Sequence, residues 1–258
     1  MLSLYNFPSV WLIAVGLNAV LLTIVWLLPK KLLTPAGILN AWLLGVLIWG
    51  TLGFKGYAIV SVYFILGSAV TRIGMAEKEA RGIAEGRSGA RGPENVWGSA
   101  FTAALCAVGV GVIDWLGTDE TLFLRSLLLL GYVASFSTKL SDTCASEVGK
   151  AYGKRTFLIT TLQPVPRGTE GAVSLEGTLA GIVASVVLAI LGWSVGLIDV
   201  GGILWCVLAA FIATNLESVI GATLQSRWQW LTNELVNVLN TLIGSLIAML
   251  FAWIRASL

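Results

Sequence analysis

The 258-residue chain has no histidine, and only 12% of its residues are charged. Without histidine, the most common general base and the most common zinc ligand are both excluded. Soluble domains carry about 25% charged residues. The low charge and the 57% hydrophobic content therefore indicate an integral membrane protein. The formal net charge of +2 comes without a basic tail or basic helix, so the composition does not indicate nucleic-acid binding.

Cysteines are few, and the common nucleotide-binding loops are absent from the sequence. The three cysteines form no Cys-x-x-Cys pair and indicate no disulfide framework. Cys106 and Cys206 lie in apolar runs and are expected to be small core residues. Cys144 lies in a polar segment, but a nucleophilic role is disfavoured because no histidine base accompanies it. Neither the Walker A pattern nor the GxGxxG dinucleotide fingerprint occurs, so any nucleotide must be bound by another arrangement.

Long apolar runs predict an all-α, polytopic membrane protein with a single transmembrane domain over residues 1–258. A spanning helix needs about 20 mainly apolar residues. The fifth run continues into polar residues, so seven spans with a re-entrant fifth segment are the alternative to eight. The first run lacks the features of a signal peptide and is expected to be a retained helix. The eight predicted spans are Pro8–Leu28, Ala36–Gly53, Tyr57–Ile73, Val96–Trp115, Leu122–Lys139, Leu175–Ile198, Gly202–Leu224 and Val236–Ile254.

Lysine and arginine are distributed unequally between the two sides of this layout. With eight spans, only Lys55, Arg125 and Arg255 of the sixteen basic residues fall on one side. The positive-inside rule then places both termini outside and the other basic residues in the cytoplasm or stroma. Three loops are thereby predicted to form an active site on the cytoplasmic side: residues 74–95, 139–177 and 225–235.

The first polar segment in these loops runs from Glu85 to Asn95 and is rich in glycine. Arg87 and Arg91 are suited to phosphate oxygens, because guanidinium groups bind them in a forked geometry. The same residues are also typical of a flexible cytoplasmic loop that obeys the positive-inside rule. Both interpretations remain open for this segment.

The second polar segment contains two acids, Asp142 and Glu147, and three basic residues follow them. On one straight helix the two acids would lie about 140° apart, so they could not both face one metal ion. Either the helix breaks here, or Asp142 binds the metal while Glu147 braces a basic neighbour. Carboxylates and substrate phosphates are the ligands that Mg²⁺ prefers. The basic residues are Lys150, Lys154 and Arg155.

The third polar segment leads into the sixth predicted span. A turn bearing Gly168 and Thr169 at a helix N-terminus would offer free amides and the positive end of the helix dipole to an anion. Arg167 adds a positive charge, and Ser174 follows in the same segment. The small residues at 177 and 181 are spaced for helix packing, which is favoured over ligand contact.

The fourth polar group lies in the last two predicted spans and in the loop between them. Glu217 is an acid well inside the seventh span, and such a residue is by default a candidate functional residue. Three asparagines fall on one face at the start of the last helix, where they would serve either as a site or as interhelical hydrogen bonds: Asn233, Asn237 and Asn240.

Together these segments resemble the membrane family once described as domain of unknown function 92. The resemblance is carried by GRSGARGPENV, SDTCASEVG, PVPRGTEGAVSLEGTLAG, NLESVIGATLQ and the Asn-rich last span, and it covers most of the chain. This family includes transmembrane protein 19 and the plant and cyanobacterial phytyl-phosphate kinase of tocopherol synthesis. A more distant similarity connects Asp142 and the Pro166–Gly171 element to CTP-dependent lipid kinases and CDP-diacylglycerol synthases. Gly168 stands where those enzymes carry a second lysine.

The resemblance implies a prenyl-phosphate kinase in a plasma, thylakoid or plastid envelope membrane. It would transfer the γ-phosphoryl group of a nucleoside triphosphate, with CTP favoured, to phytyl phosphate or a related isoprenyl monophosphate, using Mg²⁺. The implied metal ligands are Asp142, Glu217 and Glu147. The implied catalytic residues are Asp142, Glu147 and Arg167. The implied phosphate-binding residues are Arg87, Arg91, Lys150, Lys154, Arg155, Gly168, Thr169 and Ser174.

Two other functions compete with the kinase. A CTP-dependent lipid cytidylyltransferase would use similar residues but release pyrophosphate. A transporter would need polar groups that reach both sides of the membrane and paired repeats. The polar groups of this sequence concentrate on one side, and its halves show no convincing repeat.

Overall fold

Apolar helices make up most of the fold, as the composition predicts. The structure, a computed structural model, describes residues 7–117, 121–225, 227–228 and 230–258. The helices are α1 (Phe7–Leu27), α2 (Pro35–Thr71), α3 (Met75–Ala80), α4 (Pro93–Leu116), α5 (Leu122–Tyr152), α6 (Leu175–Ser194), α7 (Val200–Ile220) and α8 (Asn233–Ser257). Two strands, β1 (Thr156–Leu158) and β2 (Ala172–Ser174), pair in antiparallel fashion. All three cysteines are buried free thiols.

The helix α2 contains two membrane spans. Its 37 residues would reach about 55 Å if straight, which exceeds the hydrocarbon thickness of a bilayer. Gly53, in its middle, has φ 61° and ψ −154°, so the helix is interrupted there. Arg72, directly after the helix, donates to the carbonyl oxygen of Lys31, just before it, at 2.9 Å. Because the two ends meet, α2 is a hairpin of two antiparallel spans, which confirms the second and third predicted spans.

The helix α5 runs without a break from Leu122 to Tyr152, so the fifth segment is not re-entrant. Every residue from 129 to 144 is buried. Contacts to α2, α4, α6, α7 and α8 surround it, so its polar side chains face protein rather than lipid. This explains why six described helices are long and apolar enough to cross a membrane and α5 is not among them. With α2 counted twice and α5 included, the described chain has the eight predicted spans.

The three basic residues predicted for the outer side lie at the end of the bundle away from the polar loops. Arg125 donates to Asp114 at 2.6 Å, where α4 ends and α5 begins. Arg255, near the end of α8, lies 3.9 Å from Asp199 at the start of α7. Lys55 lies beside the turn that connects α6 to α7. The helix ends therefore alternate as the eight-span layout requires.

The two-stranded sheet is a departure from the all-α prediction. Thr156 pairs with Ser174, so the hairpin follows α5 directly and leads into α6. Gly171, in the returning arm, has φ 74°. A Cβ atom at this position would lie 2.6 Å from the carbonyl oxygen of Ser218 in α7. A glycine here therefore lets the hairpin backbone approach α7 closely.

Glycines also set the close approach of α5 and α6. A Cβ atom on Gly177 would collide with the carbonyl oxygen of Ala145, and one on Gly181 would lie 2.9 Å from the carbonyl oxygen of Ser141. Small residues at such positions let helix backbones come near each other in membranes. The packing interpretation of these two glycines is confirmed.

We expect Gly177→Ala to lower the free energy of unfolding by about 1–3 kcal/mol, because the added methyl group meets backbone that cannot move aside. Gly16→Ala is the matched control, since a Cβ atom at this glycine of α1 would meet nothing within 4 Å. Thermal unfolding of the detergent-purified variants, followed by tryptophan fluorescence, makes the comparison. Equal melting temperatures for the two variants would contradict the close packing.

Candidate active site

A cavity of about 260 Å³ lies at the end of the bundle that carries the polar loops. Its walls come from α2, α4, α5, α6, α7, the first turn of α8 and the segments before α4 and after β1. Acidic, basic and hydroxyl side chains make up much of its surface. The predicted site residues that line it are Arg91, Asp142, Glu147, Lys150, Gly168, Thr169, Ser174 and Glu217. Residues distant in sequence are thus brought to one place.

Four predicted residues do not line this cavity: Arg87, Lys154, Arg155 and Arg167. Arg87 forms an ion pair with Glu94 and donates to Asn95 at 2.8 Å. Arg167 donates to the carbonyl oxygen of Ala151 at 3.0 Å, beside the cavity. The other two follow the end of α5 and are exposed. The sequence pattern of these four residues predicted phosphate binding. Local hydrogen bonds hold two of them away from the cavity, and the other two lie beyond the end of α5.

The turn that carries Gly168 and Thr169 lies in the hairpin and not at a helix N-terminus. Strand β2 separates it from α6, whose first turn is capped by Ser174 accepting from the amide of Gly177 at 3.1 Å. The Thr169 hydroxyl donates to the carbonyl oxygen of Pro166 at 2.8 Å. The predicted anion site at a helix start is therefore wrong in its position, although both residues of the turn face the cavity.

Asp142 is held by a lysine on its own helix. The ammonium group of Lys139 lies 2.6 Å from a carboxylate oxygen of Asp142 and donates to Asn237 of α8 at 2.7 Å. Both charged side chains are buried. Sequence reasoning placed Lys139 at the end of the fifth span and gave it no role in the site. It lies three residues before Asp142, however, and that spacing is typical of a helical ion pair. Asn237 joins the site, while Asn240, one turn deeper, does not line it.

The carboxyl group of Glu217 lies against that of Asp142, with Lys139 and Glu170 as its other charged neighbours. Two ionised carboxylates in contact repel each other unless a cation or a proton lies between them. In residues 7–117, 121–225, 227–228 and 230–258, no group of three or more acids or cysteines is arranged to hold a metal ion. Mg²⁺ is commonly bound by one or two carboxylates together with substrate phosphates and water. The Asp142–Glu217 pair fits a metal that arrives with a phosphorylated ligand.

Glu147 is part of a separate buried ion cluster. Its carboxylate forms ion pairs with Lys78 of α3 and, at 3.2 Å, with Lys150. Lys78 is only 1% exposed and also donates to the carbonyl oxygen of Thr71 at 2.8 Å. The alternative in which Glu147 braces a basic neighbour matches this geometry. Sequence reasoning missed Lys78, because the short helix MAEKEA looks like an ordinary charged loop.

Lys150 lies beyond the predicted fifth span and faces the cavity. Burial alone would lower the pKa of its ammonium group, but the Glu147 carboxylate and the charges of Glu85 and Glu170 raise that pKa above its ordinary value. Lys150 therefore remains a cation throughout the physiological pH range and can bind phosphate.

Arg91 is the basic residue best placed to receive an anion. Its guanidinium group donates to the hydroxyl of Tyr63 at 2.8 Å and lies 5.3 Å from the centre of that ring. Gly67 leaves room for it, because a Cβ atom there would lie 2.7 Å from a guanidinium nitrogen. Among the described residues, no carboxylate lies within ion-pair distance of Arg91. Its positive charge is thus available to a ligand in the cavity.

Fold and site together define an integral membrane protein with a charged cavity at one end of its helix bundle. The chain belongs to the family described as integral membrane protein DUF92, which matches residues 18–245. It is 67% identical over 240 residues to an uncharacterized membrane protein of Synechocystis sp., covering 92% of this chain and 90% of that protein.

Two other similar proteins have lower sequence identity to this chain. The chain is 47% identical over 220 residues to Protein VTE6, chloroplastic, of Arabidopsis thaliana, covering 84% of this chain and 65% of that protein. It is 30% identical over 243 residues to an uncharacterized membrane protein of Methanocaldococcus jannaschii, covering 93% and 94% of the two chains. No solved structure matches the chain.

We expect Lys78→Met to destabilise the protein by about 3 kcal/mol, because it leaves a buried carboxylate with one cation fewer. Arg81→Ala is the control. It breaks the pair between Arg81 and Glu77, whose side chains are 51% and 53% exposed, and should cost less than about 1 kcal/mol. Denaturant unfolding in mild detergent measures both. The double variant Lys78→Met/Glu147→Gln should recover part of the loss, and equal effects of the two single variants would contradict the buried cluster.

Proposed function

We propose that this protein is a membrane-embedded prenyl-phosphate kinase. It transfers the γ-phosphoryl group of a nucleoside triphosphate, with CTP favoured, to phytyl phosphate or a related isoprenyl monophosphate and yields the diphosphate. The observation that carries the proposal is the meeting of a carboxylate pair, Asp142 and Glu217, with the unpaired guanidinium of Arg91 in one cavity. The family resemblance supplies the prenyl substrate and the nucleotide.

The proposed reaction needs no general base. An oxygen of the acceptor phosphate attacks the γ-phosphorus, and the bond from that phosphorus to the β–γ bridging oxygen breaks. The nucleoside diphosphate leaves with the electron pair, so no proton has to be removed from the nucleophile. Catalysis of this kind depends on positioning and on neutralising the phosphoryl oxygens. The absence of histidine from the chain is compatible with such chemistry.

Six charged residues of the cavity have distinct tasks in this proposal. Asp142 and Glu217 would hold Mg²⁺, which would supply positive charge to phosphate oxygens. Arg91 and Lys150 are cations, and they contact the negatively charged phosphate oxygens. Lys139 orients Asp142 through its 2.6 Å contact. Glu147 positions Lys150 through the ion pair between them. Its carboxylate also pairs with Lys78, so it is not assigned to the metal.

The four predicted residues that do not line the cavity have no role in the proposed site. Arg87, Lys154, Arg155 and Arg167 are held by local partners or exposed beside the cavity, so phosphate binding rests on those that line it. The hairpin turn supplies the hydroxyl and backbone of Thr169 at the rim.

We expect Asp142→Asn to abolish transfer and leave the fold intact, because an amide keeps the shape of the carboxylate but not its charge, while the nearby Glu217 still balances the charge of Lys139. Asp199→Asn is the control, since Asp199 caps α7 at the opposite end of the bundle and asparagine caps helices equally well. The assay combines purified protein, phytyl phosphate, Mg²⁺ and each nucleoside triphosphate in turn, and scores phytyl diphosphate. Chelation of Mg²⁺ should stop the reaction.

The products of the same assay separate the kinase from its rivals. CDP and phytyl diphosphate are expected from CTP. Release of pyrophosphate with a cytidine-linked lipid would indicate a cytidylyltransferase instead. Turnover of Asp142→Asn at the rate of the unchanged protein would remove Asp142 from the site, and no turnover of the unchanged protein with any nucleotide would overturn the proposal.

A further inference from the structure

The cavity continues from the basic end of the bundle into the depth of the membrane. On α7 and the residue that follows it, the lining runs from Phe211 to Gly221, a depth of about 15 Å at the helical rise per residue. From Ser174, which caps α6, to Ile182 the lining covers about 12 Å. Phe211 and Ile182 therefore border the cavity within the membrane-spanning part of both helices.

The deep end of the cavity reaches the lipid-facing surface of the bundle. Phe211 lines the cavity and is 44% exposed, on a stretch of α7 whose other exposed side chains are apolar. Its neighbours Leu208 and Ile212 on α7 and Val183 on α6 are exposed apolar residues, as lipid-facing residues should be. A residue that borders both the cavity and the lipid marks an opening between them, and Ile182 borders the cavity on the opposite helix.

Charged and apolar groups border the cavity side by side at this depth. Gly181 packs against Ser141 of α5, so Asp142 is level with the part of α6 where Ile182 lies, and Phe211 borders the same cavity from α7. Such a lining matches a molecule with a charged head and an apolar tail, because each part meets the surroundings that it prefers.

Apolar packing rather than hydrogen bonding holds α6 and α7 together at this level. The amide of Asn215 donates to the carbonyl oxygen of Phe211 at 2.7 Å, and the hydroxyl of Ser218 donates to that of Thr214 at 3.2 Å. Both hydrogen bonds stay within α7, and no side-chain hydrogen bond joins the described residues of α6 to those of α7. The two helices can part here without losing a polar contact.

From these observations we infer that the isoprenyl tail of the substrate enters the cavity sideways from the bilayer, between Ile182 and Phe211. The inference rests on the proposed function and adds the route and the residues that select the tail. A lateral opening lets the phosphate reach Arg91 and Asp142 while the tail stays in hydrocarbon. Drawing the tail through water would cost about 25 cal/mol for each Å² of apolar surface exposed.

The test narrows the opening and leaves the charged site unchanged. Ile182→Trp places a large ring at the opening, and Val183→Trp places the same ring on the adjacent residue, which is 62% exposed to lipid and does not line the cavity. Ile182→Trp should raise the KM for phytyl phosphate about tenfold, as expected for a misfit in an apolar pocket. The KM for the short substrate isopentenyl phosphate should not change, and Val183→Trp should change neither value.

Binding without nucleotide separates this inference from the proposed reaction. Native mass spectrometry or a thermal-shift titration measures the affinity of phytyl phosphate for the unchanged protein and for both variants. Weaker binding to Ile182→Trp alone supports the lateral opening, even if no diphosphate is formed and the kinase proposal fails. The inference would be overturned if both variants bound phytyl phosphate equally well, or if the unchanged protein did not bind it. It would also be overturned if Ile182→Trp lost affinity for phytyl phosphate and isopentenyl phosphate to the same extent.

Discussion

The ion pair between Lys139 and Asp142 is buried in the middle of the bundle and requires a helix that lipid does not reach. Charges within a membrane are costly unless they are paired and kept from lipid. The pair lies in α5, and that helix crosses the bilayer because five other helices surround it and exclude lipid. The close glycine-mediated approach of α6 to α5 belongs to this enclosure. The central helix can therefore carry polar chemistry that no lipid-facing helix would tolerate.

The remaining charges of the site are arranged around this helix. Glu217 approaches Asp142 from α7, and Asn237 approaches Lys139 from α8. Between one and two helical turns nearer the end that carries the polar loops, Glu147 holds Lys150 and the buried Lys78. Acids and bases thus alternate along the wall of one cavity. A site of this kind, enclosed by a bundle that remains in lipid, is compatible with the proposed reaction of a lipid phosphate at the boundary between membrane and water.

Much of the fold was accessible from the sequence, whereas part of the site was not. Apolar run length and the Lys and Arg bias predicted the spans and their alternation, because both follow from the bilayer itself. The same reasoning brought Asp142, Arg91 and Glu217 to one side. Local patterns failed where tertiary contacts decide: Lys78 is buried by a partner distant in the sequence, and the hairpin after α5 depends on pairing across a polar loop. The arginines at 87 and 167 matched a phosphate-site pattern, but nearby acceptors hold them away from the cavity.

We propose that Asp142 and Glu217 jointly bind a divalent metal together with a nucleotide. Electron paramagnetic resonance of Mn²⁺, which accepts the same oxygen ligands as Mg²⁺, tests this directly when the purified protein is titrated with and without CTP. We expect the unchanged protein to bind Mn²⁺ tightly only when the nucleotide is present. Asp142→Asn and Glu217→Gln should each abolish this binding. Mn²⁺ binding of equal strength in the unchanged protein and both variants would contradict it.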